Sequence, residues 1–346
     1  MKTVNENLIM KHHRKREGRA QRRKANPRIF FMQSPANVLK PAPMTEEHPI
    51  ERAGIVAIVG RTNVGKSTLV NHLLGEKVSI VSDTVQTTRN VIRAILTEDR
   101  GQLVFLDTPG VHKAQGDMGK NLNKAARSAV QGVDAILLVL DASSKPEMED
   151  DGWFRRITRE EVPCIVALNK SDRSYDCSSQ YKELWEAVKV DRESEKELQW
   201  LNVSALQGIN MPGLLTGMFG LVPEGPALFP DDILTDYPRK LNIADVVREK
   251  FFHRLEQELP HALAIWVEDI QEGEKKWTVE VSVMVERHSQ KGIVIGDKGR
   301  LIKWVREQAE KELYEMYGVR FKLKLWVKVE KNWRKNFWIL KKLGYA

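Results

Sequence analysis

Three short stretches carry residue types suited to holding polyphosphate and a purine: GRTNVGKST at Gly60–Thr68, DTPG at Asp107–Gly110 and NKSD at Asn169–Asp172. The first fits G-x-x-x-x-G-K-[ST] and follows the apolar run GIVAIV. Gly60 and Gly65 permit a tight loop whose N–H groups converge on phosphate oxygens. Lys66 reaches the terminal phosphates, and Ser67 offers a hydroxyl to Mg²⁺ at the start of a helix whose dipole favours anions. Thr68 completes the residues expected to touch the nucleotide.

The other stretches select the base. Asp107 is expected to hold Mg²⁺ through water, and the N–H of Gly110 to meet the terminal phosphate. The Asp172 carboxylate can accept two hydrogen bonds from the N1–H and N2–H₂ edge of guanine. Adenine lacks that pair of donors and would leave the carboxylate desolvated and unpaired, a penalty of about 1–3 kcal/mol or more. Asn169 and Lys170 belong to the same loop, Asn169 as its brace and as a contact to the other ring. In SAL (204–206), after Ser204, the N–H of Ala205 is placed for the guanine O6. These pieces in this order predict GTP and GDP as ligands.

A switch threonine is expected between the phosphate loop and DTPG as a second side-chain ligand of Mg²⁺. Thr88 is the first choice and Thr87 the rival. The residue after D-x-x-G is Val111, which cannot orient an attacking water as a glutamine does in many small GTPases. Asn63 therefore draws interest as a ligand for K⁺, whose charge would stand where an arginine finger stands elsewhere; a turn-forming asparagine is the plain alternative. The catalytic set expected from sequence is Lys66, Asn63, Thr88 and Gly110.

These residues need strand ends to position them. Near-continuous aliphatic runs begin at Gly54, Gln102, Ala135, Pro163 and Leu198. Runs without alternation mark strands buried on both faces, so we expect a doubly wound, mostly parallel α/β domain over 53–222. The interval 223–240 is rich in Pro and Asp and reads as a linker. Over 241–346 the pattern becomes helix, strand, strand, helix, helix, strand, an α+β domain, with one amphipathic helix predicted across NIADVVREKFFHRLEQELPHAL. Gly318 is expected to cap the long final helix.

In that second domain, Gly296-Asp297-Lys298-Gly299 forms a G-x-x-G turn between apolar helical stretches. Such a turn lets a nucleic-acid backbone approach the main chain, as in KH domains, with Lys298, Arg300 and Lys303 contacting phosphates beside Ile295. Asp297 is tolerable if it points away. Trp304, Trp326, Trp333 and Trp338 are expected in packing roles rather than as stacking platforms.

Charge divides unevenly. Net +8 splits into +7 for residues 1–52, −5 for 53–235 and +6 for 236–346. The two ends, not the phosphate-loop region, suit a polyanion. Residues 1–52 read as a flexible basic extension: an extra RNA anchor, a plain tail, or a targeting remnant that would leave an organelle open. Two cysteines cannot build a disulfide framework, and no run approaches the ~20 apolar residues that span a bilayer. A cytoplasmic location follows as the expectation.

Together GRTNVGKST, QTTRN, DTPGVH, NKSD, VSAL, VIGDKG, LWVKV, NWR and LKKLGY resemble the Era family, GTPases with a C-terminal KH domain. The resemblance spans roughly 54–346. It implies a type II KH domain and a monomer. It also implies binding near the 3′ end of small-subunit ribosomal RNA, help in assembling the small ribosomal subunit, and an RNA-competent GTP state. The other reading is a GTP-regulated signalling switch peripherally associated with membrane. One departure is Asn210, which stands where relatives often have a second glycine after S-A-x-x-G.

Overall fold

The computed structural model describes residues 52–81, 91–110, 123–255 and 259–343. Thr87, Thr88, Val111 and the extension before Arg52 lie outside them.

The aliphatic runs become the strands of one sheet. These are β1 (Ala53–Val59), β3 (Gly101–Asp107), β4 (Ala135–Asp141), β5 (Cys164–Asn169) and the short β6 (Gln199–Asn202). With β2 at Ile92–Glu98, the sheet order is β2-β3-β1-β4-β5-β6. β4 shows why the runs do not alternate. Ala135, Leu137 and Val139 pack into the core on one face, and Ile136, Leu138 and Leu140 into the core on the other. Residues pointing to opposite faces both find apolar partners, so every position is aliphatic.

Two expectations about strands need correction. The aliphatic runs read from sequence include none between Thr68 and Gln102, but Ile92–Glu98 forms β2, the antiparallel edge strand paired with β3. The signal was a polar turn at Asp99–Gly101 between two runs of seven residues. The run beginning at Leu198 yields only four residues of strand, none of them buried.

Helices α1 (Lys66–Leu74), α2 (Met148–Ile157), α3 (Ser178–Arg192) and α4 (Met211–Leu221) cover the sheet. Asn210 takes φ 58 at the N-cap of α4, a left-handed position that asparagine tolerates. The substitution for glycine thus keeps the turn.

The segment after α4 is stitched to the sheet edge. Ile95 N–H donates to the Leu234 carbonyl at 2.8 Å, and Thr235 Oγ1 donates to the Arg93 carbonyl at 2.6 Å. The Gln102 amide oxygen accepts from the N–H groups of Leu228 and Phe229.

The second domain runs α5 (Arg239–Phe252), α6 (Leu259–Ala262), β7 (Ala264–Gln271), β8 (Lys276–Val285), α7 (His288–Ile295), α8 (Arg300–Tyr317), β9 (Arg320–Val329) and α9 (Phe337–Lys342). β7 pairs antiparallel with β8, and β8 pairs parallel with β9. This is the type II KH arrangement. Gly318 caps α8 at φ 68, its N–H donating to the Tyr314 carbonyl.

The expected long amphipathic helix is not one helix. α5 starts earlier, at Arg239, and ends at Phe252, with α6 separate. Its first turn carries no acid, and Asn242 to Phe252 is buried without a break. One side, with Ile243, Val247 and Phe251, enters the KH core. The other is polar yet covered: Asn242 accepts from the Tyr317 hydroxyl, and Glu249 from Lys77 of the first domain.

Candidate functional site

The phosphate loop leaves β1 and enters α1 through Gly65, whose φ of 98 starts the helix. Lys66 is buried, and its ammonium donates to the carbonyls of Gly60 at 3.2 Å and Arg61 at 2.8 Å. Burial pushes Lys66 down to about 8, with the carboxylate of Asp107 pulling the other way. A phosphate chain would give that cation anionic oxygens in place of two carbonyls.

Ser67 Oγ donates to Asp107 Oδ2 at 2.8 Å, both side chains being buried. A hydroxyl and a carboxylate side by side are hard oxygen donors, which fit Mg²⁺. Among the described residues no group of three or more His, Cys, Asp or Glu could hold a metal. Thr68 is half-buried one residue further along α1.

The base-side loops lie at the ends of β5 and β6. Asn169 spends both ends of its amide on the protein, donating to the Val64 carbonyl at 2.7 Å and accepting from Ala205 N–H at 2.9 Å. It ties the phosphate loop to the SAL loop, as a brace should. Asn169 Oδ1 and Ala205 N–H, both expected at the guanine, bond each other in this structure. Ser204 is buried, and its Oγ accepts from Gln207 N–H at 3.0 Å. Asp172 is exposed, its carboxylate open to an incoming base.

Lys170 was predicted only as part of its motif. Its ammonium bridges the carbonyl of Asn63 at 2.7 Å and Asp141 Oδ2 at 2.6 Å. Burial pushes the Asp141 carboxylate up, but hydrogen bonds from Lys170 and Ser143 outweigh it and hold it below the ordinary range. Sequence reasoning missed Asp141, although its place at the end of a buried strand was a signal. Asn63 is exposed at φ 61, which suits the turn reading.

The G-x-x-G turn sits between α7 and α8. Gly296 has φ 75 and ψ 168, and a Cβ there would lie 2.7 Å from that of Leu301. Only glycine lets the chain enter α8 this closely. Lys298 (φ 49) and Gly299 (φ 76) are left-handed too. Asp297 lies 3.6 Å from Arg300, both exposed, and so turns toward the helix. Lys298 and Lys303 are exposed, and Ile295 is half-buried.

The tryptophans divide. Trp333 is fully buried and donates to the Ala262 carbonyl at 3.0 Å, and Trp304 packs at the edge of the KH core. Trp326 and Trp338 are 60% and 73% exposed, so packing is not their role. Trp326 lies at an exposed position of the alternating strand β9, and α9 is too short for periodicity to place Trp338.

Comparison with known proteins agrees with both halves. A family model described as "50S ribosome-binding GTPase" matches residues 55–170, and one described as "KH domain" matches 258–334. GTPase Era of Thermoanaerobacter sp. (strain X514) is 39% identical over 297 residues, 85% of this chain and 97% of that protein. GTPase Era of Clostridioides difficile (strain 630) is 41% identical over 298 residues, 85% and 98% of the two chains. The chain belongs to the Era family of GTPases.

Two solved Era structures have the same fold. Era in complex with MgGDPNP and nucleotides 1506–1542 of 16S ribosomal RNA superposes with a TM-score of 0.78 at 33% identity, over 86% of this chain and 99% of that one. An alanine variant of Aquifex aeolicus Era bound to GDP and AlF4⁻ gives 0.78 at 33% identity, over 85% and 99%. As an Era-family protein this chain is a GTP-hydrolysing enzyme with a C-terminal KH domain. Among its described residues no helix is long and apolar enough to cross a membrane.

Proposed function

We propose that the chain is a nucleotide-controlled clamp for single-stranded ribosomal RNA near the 3′ end of the small-subunit RNA, assisting small-subunit assembly in the cytoplasm. The observation that carries this reading is an ionic cluster between the domains. Lys77, just beyond α1, lies 2.8 Å from Glu249 on α5 and 2.7 Å from Glu312 on α8. Lys250 joins both acids, and Val81 N–H donates to Glu249 Oε2 at 3.3 Å. α1 begins at the phosphate loop and α8 at the G-x-x-G turn, so two rigid helices run from the two ligand sites to one cluster.

In this reading Gly60, Gly65 and Lys66 hold phosphates, Ser67 and Thr88 or Thr87 bind Mg²⁺, and Asp107 supports the ion from behind Ser67. Mg²⁺ when bound would offset charge on the terminal phosphates. Asp172 recognises guanine while Asn169 and Lys170 hold the loops around it. Ile295 to Gly299, Arg300 and Lys303 take the RNA strand.

A relative bound at once to MgGDPNP and a 16S fragment supports the combination. The 50S in the first family model's description concerns a match confined to the GTPase half. The rRNA complex covers both halves, which favours the small subunit.

The test is direct titration of a single-stranded oligonucleotide from the 3′ end of small-subunit rRNA, with GDP and with a non-hydrolysable GTP analogue. Tighter binding with the analogue is expected. Equal affinity in both states would refute the control, and no binding would refute the RNA assignment.

A further inference from the structure

Arg61, the second residue of the phosphate loop, has a side chain that turns away from the nucleotide side and into the protein. Its side chain is 13% exposed, and its Nε lies 3.2 Å from Oδ2 of Asp150, whose side chain has no exposure at all. The same guanidinium pairs with Glu147 and donates to Ser144 Oγ. Glu147 and Asp150 sit at the start of α2 and Ser144 in the turn before it, and Tyr181 of α3 also hydrogen-bonds the guanidinium. Asp150 Oδ2 also accepts from Glu147 N–H at 2.9 Å, closing a capping box.

The backbone of Arg61 and its neighbours faces the reaction. The Arg61 carbonyl accepts from Lys66 at 2.8 Å. A Cβ on Gly110 would lie 2.7 Å from Thr62 Cα and 2.8 Å from Thr62 N, so Thr62 forms the wall opposite Gly110. The Asn63 carbonyl is held by Lys170. The loop from 61 to 63 is thus tied at one end to α2 and at the other to the base loop.

The acid is placed there against stability. Burial pushes Asp150 up to about 6, more than the Arg61 guanidinium pulls it down. A buried ion pair of this kind is weak evidence of stabilisation, since replacing the whole pair by apolar groups is often neutral. A costly charge kept behind a catalytic loop is the pattern expected of a functional constraint.

We propose that Asp150 is a positioning residue for GTP hydrolysis. Through Arg61 it fixes both the carbonyl that holds Lys66 and the Thr62 wall facing Gly110, and so sets the space in which the terminal phosphate reacts. GDP, which lacks that phosphate, feels this spacing less. The inference rests on assigning Lys66 and Gly110 to the terminal phosphate.

The experiment compares Asp150→Asn, Arg61→Ala, Arg61→Lys and the double Arg61→Ala/Asp150→Asn variant with wild type in the full chain. It reads kcat and KM for GTP, Kd for GDP, and Tm. Asp150→Asn keeps an acceptor for Glu147 N–H, and Arg61 keeps Glu147 as an ion partner, so Tm should fall only modestly while kcat falls tenfold or more. KM and the GDP Kd should move less than threefold. Arg61→Lys should not restore kcat, because one ammonium cannot span Asp150, Glu147 and Ser144. The double variant should be no slower than the worse single one, since the two residues act as one unit.

A pH profile adds a readout that a purely structural contact would not give. The groups facing Asp150 are Arg61 of the loop, Glu147 and Glu149 at its own helix start, Tyr181 of α3 and Lys66. Wild-type kcat should fall as pH drops through about 6 and Asp150 takes up a proton, and Asp150→Asn should lack that limb. Wild-type kcat in Asp150→Asn, or parallel loss of kcat, GDP affinity and Tm, would overturn the proposal. Lys66→Ala separates the underlying assignment: retained nucleotide affinity there would overturn the pocket reading itself, whatever Asp150→Asn does.

Discussion

Replacing Glu312 by glutamine tests whether the ionic cluster transmits nucleotide state or merely glues two domains. Glu312 is 15% exposed and meets two ammonium groups, Lys77 at 2.7 Å and Lys250. Burial raises its carboxyl, but the hydrogen bonds and charges of Lys250 and Lys77 more than offset this and hold it below the ordinary value. Removing one partner of a buried pair costs about 3–5 kcal/mol. Three features shrink that figure: glutamine keeps one acceptor, Lys77 is 33% exposed, and both lysines retain Glu249. About 2 kcal/mol remains, a factor of roughly 30 in the equilibrium between docked and undocked domains.

Stability alone does not decide the question. Nucleotide and RNA affinities are linked by a coupling free energy, commonly about 1–3 kcal/mol. The assay is therefore the ratio of RNA Kd values with GDP and with a GTP analogue, alongside chemical denaturation. Glu312→Gln should lose about 2 kcal/mol and bring the ratio toward one by up to about tenfold. Lys250→Gln added to it restores neutrality and should recover part of the stability. A destabilised variant with an unchanged ratio would refute the coupling role and leave the cluster as glue.

Asp172→Asn exchanges a charged acceptor for an amide, at about 1.5–3 kcal/mol for each hydrogen bond lost or weakened. GTP should bind about a hundredfold more weakly, and XTP, whose O2 accepts from the new amide, more tightly, as read by competition binding. Gly296→Asp with Gly299→Asp places side chains at left-handed positions and two anions on the RNA path. RNA binding should vanish while GTP affinity stays within twofold, checked by filter binding and nucleotide titration. If Asn63 binds K⁺, turnover in K⁺ should exceed that in Na⁺ at equal ionic strength, and Asn63→Ala should erase the difference.

The fold was legible where local sequence and tertiary surroundings made the same demand. β4 and β5 are aliphatic at nearly every position because both faces of the sheet are covered, and that leaves a run no surface helix would show. β2 was obscured because an edge strand needs only partial burial, and Arg93 and Thr97 interrupt its apolar pattern. α5 misled in the opposite direction. Its polar residues marked a wet face in sequence, yet Asp245 accepts from the Tyr237 hydroxyl and Glu249 from Lys77, so that face is covered too.

The same distinction runs through the site. Lys66, Ser67 and Asp107 were readable because the phosphate chemistry needs those types at fixed offsets from strand ends. Asp150 and Asp141 reach the loop from other segments, with Asp150 89 positions beyond Arg61 and nothing periodic to connect them. Both acids are buried beside a cation that also grips, or belongs to, the 61–63 loop: Asp141 through Lys170 and Asp150 through Arg61. Loop geometry is thus fixed from two sides by carboxylates that never need to touch nucleotide. A motif search finds the groups that meet the phosphates, whereas the positioning role proposed for Asp150 depends on a contact that no motif contains.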